Sequence, residues 1–309
     1  MIQVRNLVKR YGDLVALDHF ELEVGKGEIF GLLGPNGSGK TTAINCMLSL
    51  LKYSKGEVNL FGEPMKPDSY ALKRRIGVVM QNVAVFNELT VAENIDYFCG
   101  LYVPEKAKRK MLVDEAVAFT GLGDYRKFLP KKLSGGLLRR LNIACGIAHK
   151  PELLFLDEPT VAVDPQSRNH ILEGIRALNQ NGATVVYTSH YMEEVEQICT
   201  RIMIMDKGKA VATGTKEELK AMIRAGERLS IEVYNLPAAA LDAIRSRDGV
   251  YQADYANNLL TTRCVADGRH LITVLDILRS NGITFGRVAS EPPTLNDVFL
   301  EITGKELKD

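Results

Sequence analysis

The chemistry-bearing residues of this 309-residue chain begin with Gly34, Pro35, Asn36, Gly37, Ser38, Gly39, Lys40, Thr41 and Thr42, a glycine-rich turn with a lysine and two hydroxyls at its end. Glycines at this spacing let successive backbone N–H groups turn inward around phosphate oxygens, and a helix starting at the lysine adds its positive dipole end. Lys40 then reaches the β- and γ-phosphates of a nucleoside triphosphate, and the Thr41 hydroxyl ligates Mg²⁺. A second site of chemistry is the pair Asp157-Glu158, which ends the apolar run Leu153-Leu-Phe-Leu. Two carboxylates at the exit of a buried strand can divide the work: Asp157 holds the metal ion, directly or through water, and Glu158 orients and polarises an attacking water. Three further landmarks are Gln81, the string Ser134-Gly135-Gly136, and His190. Alone, each reads equally well as a solvated polar residue or a helix cap.

These residues need elements that deliver them to one place. Short apolar runs at 29–33, 76–80, 153–156, 184–187 and 202–205 mostly lack polar alternation, the pattern of strands covered on both faces in a parallel sheet flanked by helices. Ligands of such sheets gather at the carboxyl ends of the strands. The segments 2–5 and 17–24 instead alternate apolar and polar residues, which predicts an antiparallel sheet with one wet face. Apolar residues at spacings of three and four between 89 and 129 predict a helical insert, with further helices after Ser134 and after Pro165. The fold class expected is α/β: a phosphate-loop NTPase core with an N-terminal antiparallel subdomain and a helical subdomain at about 85–150, all within residues 1–220. Residues 221–309 are expected to form a small accessory α+β domain ordered strand, helix, strand, strand, helix, strand, of ferredoxin-like type, followed by a closing helix over 294–302.

Composition narrows the partners. With a net charge of +1 and 25% charged residues, nothing marks a nucleic acid or an anionic membrane as a target, and the basic runs at 73–75 and 106–110 are most simply solvated faces. Five cysteines, at 46, 99, 145, 199 and 264, form no CxxC pair and fit a reducing cytosolic compartment. No apolar run is long enough to span a bilayer and no signal peptide precedes the first strand-like segment, so any action at a membrane is expected to pass through another chain.

In this order, the phosphate loop, Gln81, Leu133-Ser134-Gly135-Gly136, Asp157-Glu158, Asp164 and His190 resemble the nucleotide-binding subunit of ABC transporters over roughly residues 1–220. The resemblance implies an Mg²⁺-dependent ATPase, with ATP and Mg²⁺ as cofactors. It implies that Tyr11 stacks on adenine, that Gln81 senses Mg²⁺ and the lytic water, that His190 contacts the γ-phosphate, and that Asp164 communicates across a dimer. It further implies a homodimer in which Ser134 and Gly136 bind the γ-phosphate of ATP held by the second nucleotide-binding subunit. Leu137, where the family usually has a polar residue or methionine, leaves the backbone donors of that string intact, and Val161 and Val163 vary the packing beside Asp164. The segment 81–102, the string after His190 and the tail 291–304 are similar to subunits serving drug, antibiotic, lipid or polysaccharide exporters. By this resemblance the partner is a separate transmembrane permease, docked on Val83, Val85, Phe86 and Leu89 unless these are core, and the chain is cytoplasmic, peripheral on the inner face of the cell membrane. The competing class, a non-transport ABC ATPase acting on ribosomes or DNA, would bring a second phosphate loop, a long coiled-coil insert or a basic patch, none of which the sequence carries.

Overall fold

The structure, a computed structural model, describes residues 1–223, 226–265 and 269–304 and divides into two compact units, Met1–Thr215 and a second beginning at Lys216. The first unit opens with β1 (Ile2–Tyr11) and β2 (Leu14–Val24), paired antiparallel. Then come β3 (Ile29–Leu33), α1 (Lys40–Met47), β4 (Lys55–Leu60), β5 (Glu63–Pro64), α2 (Tyr70–Lys73) and β6 (Ile76–Val79). The expected antiparallel sheet has the order β2-β1-β4-β5; its β4 and β5 carry few apolar residues and no clear sequence signal.

The expected helical insert consists of α3 (Val91–Gly100), α4 (Lys106–Phe119) and α5 (Gly135–Ile147). These helices share a core of Val91, Ile95, Leu112, Val113, Leu141 and Ala144. A capping box starts α3: Thr90 accepts from Glu93 N while the Glu93 carboxylate accepts from Thr90 N, satisfying two otherwise unpaired donors. The chain then returns through β7 (Leu153–Asp157), α6 (Pro165–Gln180), β8 (Thr184–Ser189), α7 (Met192–Ile198), β9 (Arg201–Asp206) and β10 (Lys209–Gly214).

The second sheet has the order β10-β9-β3-β8-β7-β6, parallel throughout except for the antiparallel edge strand β10. Every residue of β3, β7 and β8 is buried, as the absence of polar alternation predicts. Register aligns the exits: Leu33 pairs with Ser189, Asp157 with Thr188 and Val79 with Leu156. The loops after four adjacent strands therefore open at one edge of the sheet.

The second unit contains α8 (Lys216–Ala221), β11 (Glu227–Val233), α9 (Ala238–Arg245), β12 (Val250–Ala256), β13 (Leu259–Cys264), α10 (Arg269–Ser280), β14 (Phe285–Glu291) and α11 (Leu295–Thr303). Its sheet, β12-β13-β11-β14, is antiparallel throughout. This is the strand order of the split β-α-β arrangement. Leu229, Ile231, Leu260, Ile244, Val274 and Leu278 build the core between sheet and helices. The unit starts at Lys216 and not at residue 221, because α8 packs with α11 of the second unit; its one buried apolar residue, Leu219, is too little to mark it in sequence.

Candidate functional site

The loop Gly34–Gly39 lies between β3 and α1, held from below by the backbone of neighbouring segments. Gly208 N donates to Ser38 O at 2.9 Å. A Cβ on Gly34 would come within 2.4 Å of Met205 O, and one on Gly39 within 2.8 Å of Ala16 O. Gly39 also has φ 105°, a conformation that side chains avoid. Helix α1 starts there without any side-chain cap, so its first-turn N–H groups face the loop mouth as anion donors. The Ser38 hydroxyl is buried without a protein partner. A glycine cradle, uncapped helix donors and an unpaired buried hydroxyl together suit a polyphosphate.

Lys40 is buried, its ammonium donating to Gly34 O at 2.7 Å and Pro35 O at 3.2 Å and pairing with Glu158 Oε1 at 3.2 Å. Thr41 Oγ1 donates to Asp157 Oδ2 at 2.8 Å. These hard oxygens fit Mg²⁺, and among the described residues no cluster of three or more metal-ligating side chains occurs, so such an ion would take its other ligands from phosphate and water. Glu158 is the centre of the site. Besides Lys40, its carboxylate lies 3.3 Å from His190 Nδ1 and accepts from Gln81 Nε2 at 3.4 Å. Glu158 itself has φ 47°, a left-handed turn that reverses the chain just after β7 and swings the side chain over the strand ends. The structure thus brings Lys40, Thr41, Asp157, Glu158, Gln81 and His190 together.

The remaining sequence candidates lie elsewhere in the first unit. Ser134 caps α5, accepting from Leu137 N at 3.3 Å, and a Cβ on Gly136 would approach Asp164 Oδ2 to 3.0 Å and Ser167 Oγ to 2.4 Å. A Cβ on Gly135 would meet nothing nearer than Ala162 O at 3.8 Å, so this face of the turn is open. Asp164 caps α6 through Ser167 N at 2.9 Å, and that bond holds its carboxyl below the usual range. Tyr11 pairs with Leu14 at the tight end of the β1–β2 hairpin; it is 46% exposed, with the Lys9 ammonium 4.5 Å from its ring centre.

Two supporting groups carry no sequence motif. Thr188 donates to Asp157 Oδ1 at 2.7 Å and accepts from Glu158 N at 2.9 Å. Arg139 of α5, whose guanidinium is pulled down from its ordinary value by burial, donates to Gln81 O at 2.7 Å and Met80 O at 3.3 Å. Both are ordinary strand or helix residues by type, and only pairing across distant segments reveals them.

A surface next to Gln81 is also preformed. Val83, Val85 and Leu89 are half-buried, and Phe86 is exposed, so this segment is neither simple core nor free loop. Asn94, buried on α3, accepts from Phe86 N at 2.7 Å and donates to Phe86 O at 3.0 Å. Phe86 packs at 4.8 Å on Tyr97 and 5.8 Å on Phe98; Tyr97, and Leu101 one turn further along, stand 48% and 60% exposed.

The profile of the ABC transporter family matches residues 17–161. The chain is 37% identical to the linearmycin resistance ATP-binding protein LnrL of Bacillus subtilis (strain 168), over 100% of both chains. It is 32% identical to Nod factor export ATP-binding protein I of Sinorhizobium fredii (strain NBRC 101917 / NGR234), covering 100% of this chain and 87% of that one. Among solved structures, the dimeric structure of a bacterial ABC transporter cassette is similar with a TM-score of 0.65 and 28% identity, over 70% of this chain and 98% of that one.

Proposed function

The chain belongs to the ABC transporter family as an ATP-binding subunit of exporter type, an ATPase, and from that premise we propose that two copies close on ATP to drive export through a separate membrane-spanning partner. The observation that carries the reading is the Glu158 carboxylate, gathered by Lys40, Gln81 and His190 at the exits of adjacent parallel strands. Lys40 and the α1 donors hold the β- and γ-phosphates. Thr41 and Asp157 hold Mg²⁺, which supplies charge neutralisation on the phosphates when bound. Glu158 orients the water and takes its proton, with Gln81 and His190 fixing that carboxylate and the γ-phosphate. Tyr11 stacks on adenine.

Pairing of two copies is supported by the dimeric cassette it resembles and by the open face of Gly135. Ser134 to Gly136 of one copy then complete the phosphate site of the other, and Asp164 lies beside that junction. Resistance and export in the names of the relatives support outward movement of the transported molecule. Among the described residues no helix is long and apolar enough to cross a membrane; in this reading the span is the partner's, and the chain works against the inner face of the cell membrane. The apolar surface of Phe86, Tyr97 and Leu101 suits a short apolar helix of that partner.

Glu158→Gln keeps the shape of the site but removes the base. Hydrolysis is expected to fall about 100-fold or more, with ATP still bound and dimers accumulating by size-exclusion chromatography; normal turnover in this variant would sink the reading. Docking is tested separately. Val85→Asp with Phe86→Asp should leave ATP binding intact but abolish co-purification with the membrane partner, and an intact, coupled complex would show that the surface has been misplaced.

A further inference from the structure

Glu194 of α7 is a buried carboxylate that the mechanism above does not use. It is 2% exposed, and its Oε2 accepts from Tyr187 Oη at 2.7 Å, Thr160 Oγ1 at 2.8 Å and Ser189 Oγ at 3.0 Å. Its Oε1 lies 3.1 Å from Arg168 Nε, an ion pair without hydrogen-bond alignment. Burying a carboxylate is costly unless it is paired and hydrogen-bonded, and here three hydroxyls and a guanidinium meet that demand. The partners come from three segments outside α7: Thr160 two residues after Glu158, Arg168 on the first turns of α6 after its cap Asp164, and Tyr187 and Ser189 at the end of β8. Ser189 Oγ in turn accepts from Tyr191 N at 2.9 Å, so the histidine between them is braced on both sides. The Arg168 guanidinium lies 4.9 Å from the Tyr191 ring centre, and the Tyr191 ring lies 4.1 Å from that of His190.

We infer that Glu194 is a positioning residue that ties the placement of His190 to that of the Asp164 loop, making hydrolysis responsive to what touches Asp164. Its effect is carried through Arg168 on one side and Ser189 on the other. An ion pair on a buried carboxylate is a poor device for stability alone, since apolar residues of the same volume often serve as well. The three hydroxyl bonds to Oε2 do fix distances between separate segments, because each is directional, and the Arg168 charge draws α6 to the same carboxylate. The loop that would face a second copy and the histidine beside Glu158 then move together or not at all.

The inference rests on the reading of Glu158 and His190 given above, and the test separates the two. In the full-length protein, kcat, KM, thermal stability and affinity for a fluorescent ATP analogue are measured for Glu194→Gln, Arg168→Met, their combination, and Ser189→Ala. Each single variant is expected to lose about 10-fold or more in kcat, the scale of a small misplacement of a catalytic group, with analogue affinity unchanged. The double variant should be no worse than the poorer single, because both cut one linkage. Full kcat in folded Ser189→Ala overturns the inference, as do losses that multiply in the double variant or that only follow thermal stability and affinity. Ser189→Ala decides the matter if Glu194→Gln does not fold. Glu158→Gln run in parallel identifies which idea has failed: if it hydrolyses ATP normally the site itself is misread, whereas if it is inactive while Glu194→Gln is fully active only the linkage falls.

Discussion

At the scale of single residues, the hydroxyl of Thr188 decides how the two carboxylates of the site are held, because it donates to Asp157 and accepts from the Glu158 backbone. Thr188→Val preserves shape but leaves a buried carboxylate oxygen without its donor, while Glu158 N keeps its bond to Thr188 O at 3.2 Å. The expected cost is about 1–3 kcal/mol, read as a lower denaturant midpoint, together with slower ATP hydrolysis. A variant of unchanged stability would mean that water or a shifted backbone satisfies the Asp157 carboxylate. Thr188 also shows where sequence reading stops. Lys40, Thr41, Asp157 and Glu158 are legible because each sits at a fixed offset from a strand end or a glycine-rich turn. Thr188 sits inside an apolar β run, where threonine reads as a β-branched strand residue, and its partner is 31 positions away. Arg139 and Glu194 are hidden for the same reason: a charged residue on a helix reads as solvated until the packing shows it buried.

Among elements, those with a strong period were legible. The fully buried strands β3, β7 and β8 and the helices after Ser134 and Pro165 lie where their patterns place them. Short elements with at most two buried residues, such as α8, β4 and the edge strand β5, were not, since tertiary packing and not local preference holds them. One junction between elements carries a pH dependence. His149, just beyond α5, stacks at 3.9 Å on Tyr102 and bonds Ile76 O at 3.1 Å through Nε2, linking the helical insert to the start of β6. Burial holds its pKa below the ordinary value of 6.5, against an opposing pull from the Ile76 bond. Below that value the unfolded chain binds more protons at this site than the folded one, so stability is lost as pH falls and is regained as it rises. Thermal midpoints at pH 7.5 and 5.5, about one unit either side of a free histidine, should therefore separate less in His149→Gln than in the parent. An equal separation would assign the acid sensitivity to other groups.

For the whole molecule, the division at Thr215 leaves every residue of the nucleotide site in the first unit. A chain ending at Thr215 is expected to bind ATP within about twofold of the full protein, since the lost unit would contribute no binding contact; a tenfold loss in a fluorescence titration would show that it does. Any change in turnover or pairing of that shorter chain then reports what the second unit does, and extra dimer contact or damping of hydrolysis are the roles to be distinguished. The topology has a temporal consequence as well. Strand β3, which delivers the phosphate loop, is flanked in the sheet by β8 and β9, so Ile29 pairs with Val185 and Phe30 with Arg201. On a growing chain the loop is made early but its two neighbours arrive only near the end of the unit, about 10–40 s later at ordinary synthesis rates. Through that interval β3 is an apolar strand with both edges bare. Newborn chains are therefore most exposed to aggregation and to chaperones before Asp206 has left the ribosome, and ATP can protect them only afterwards.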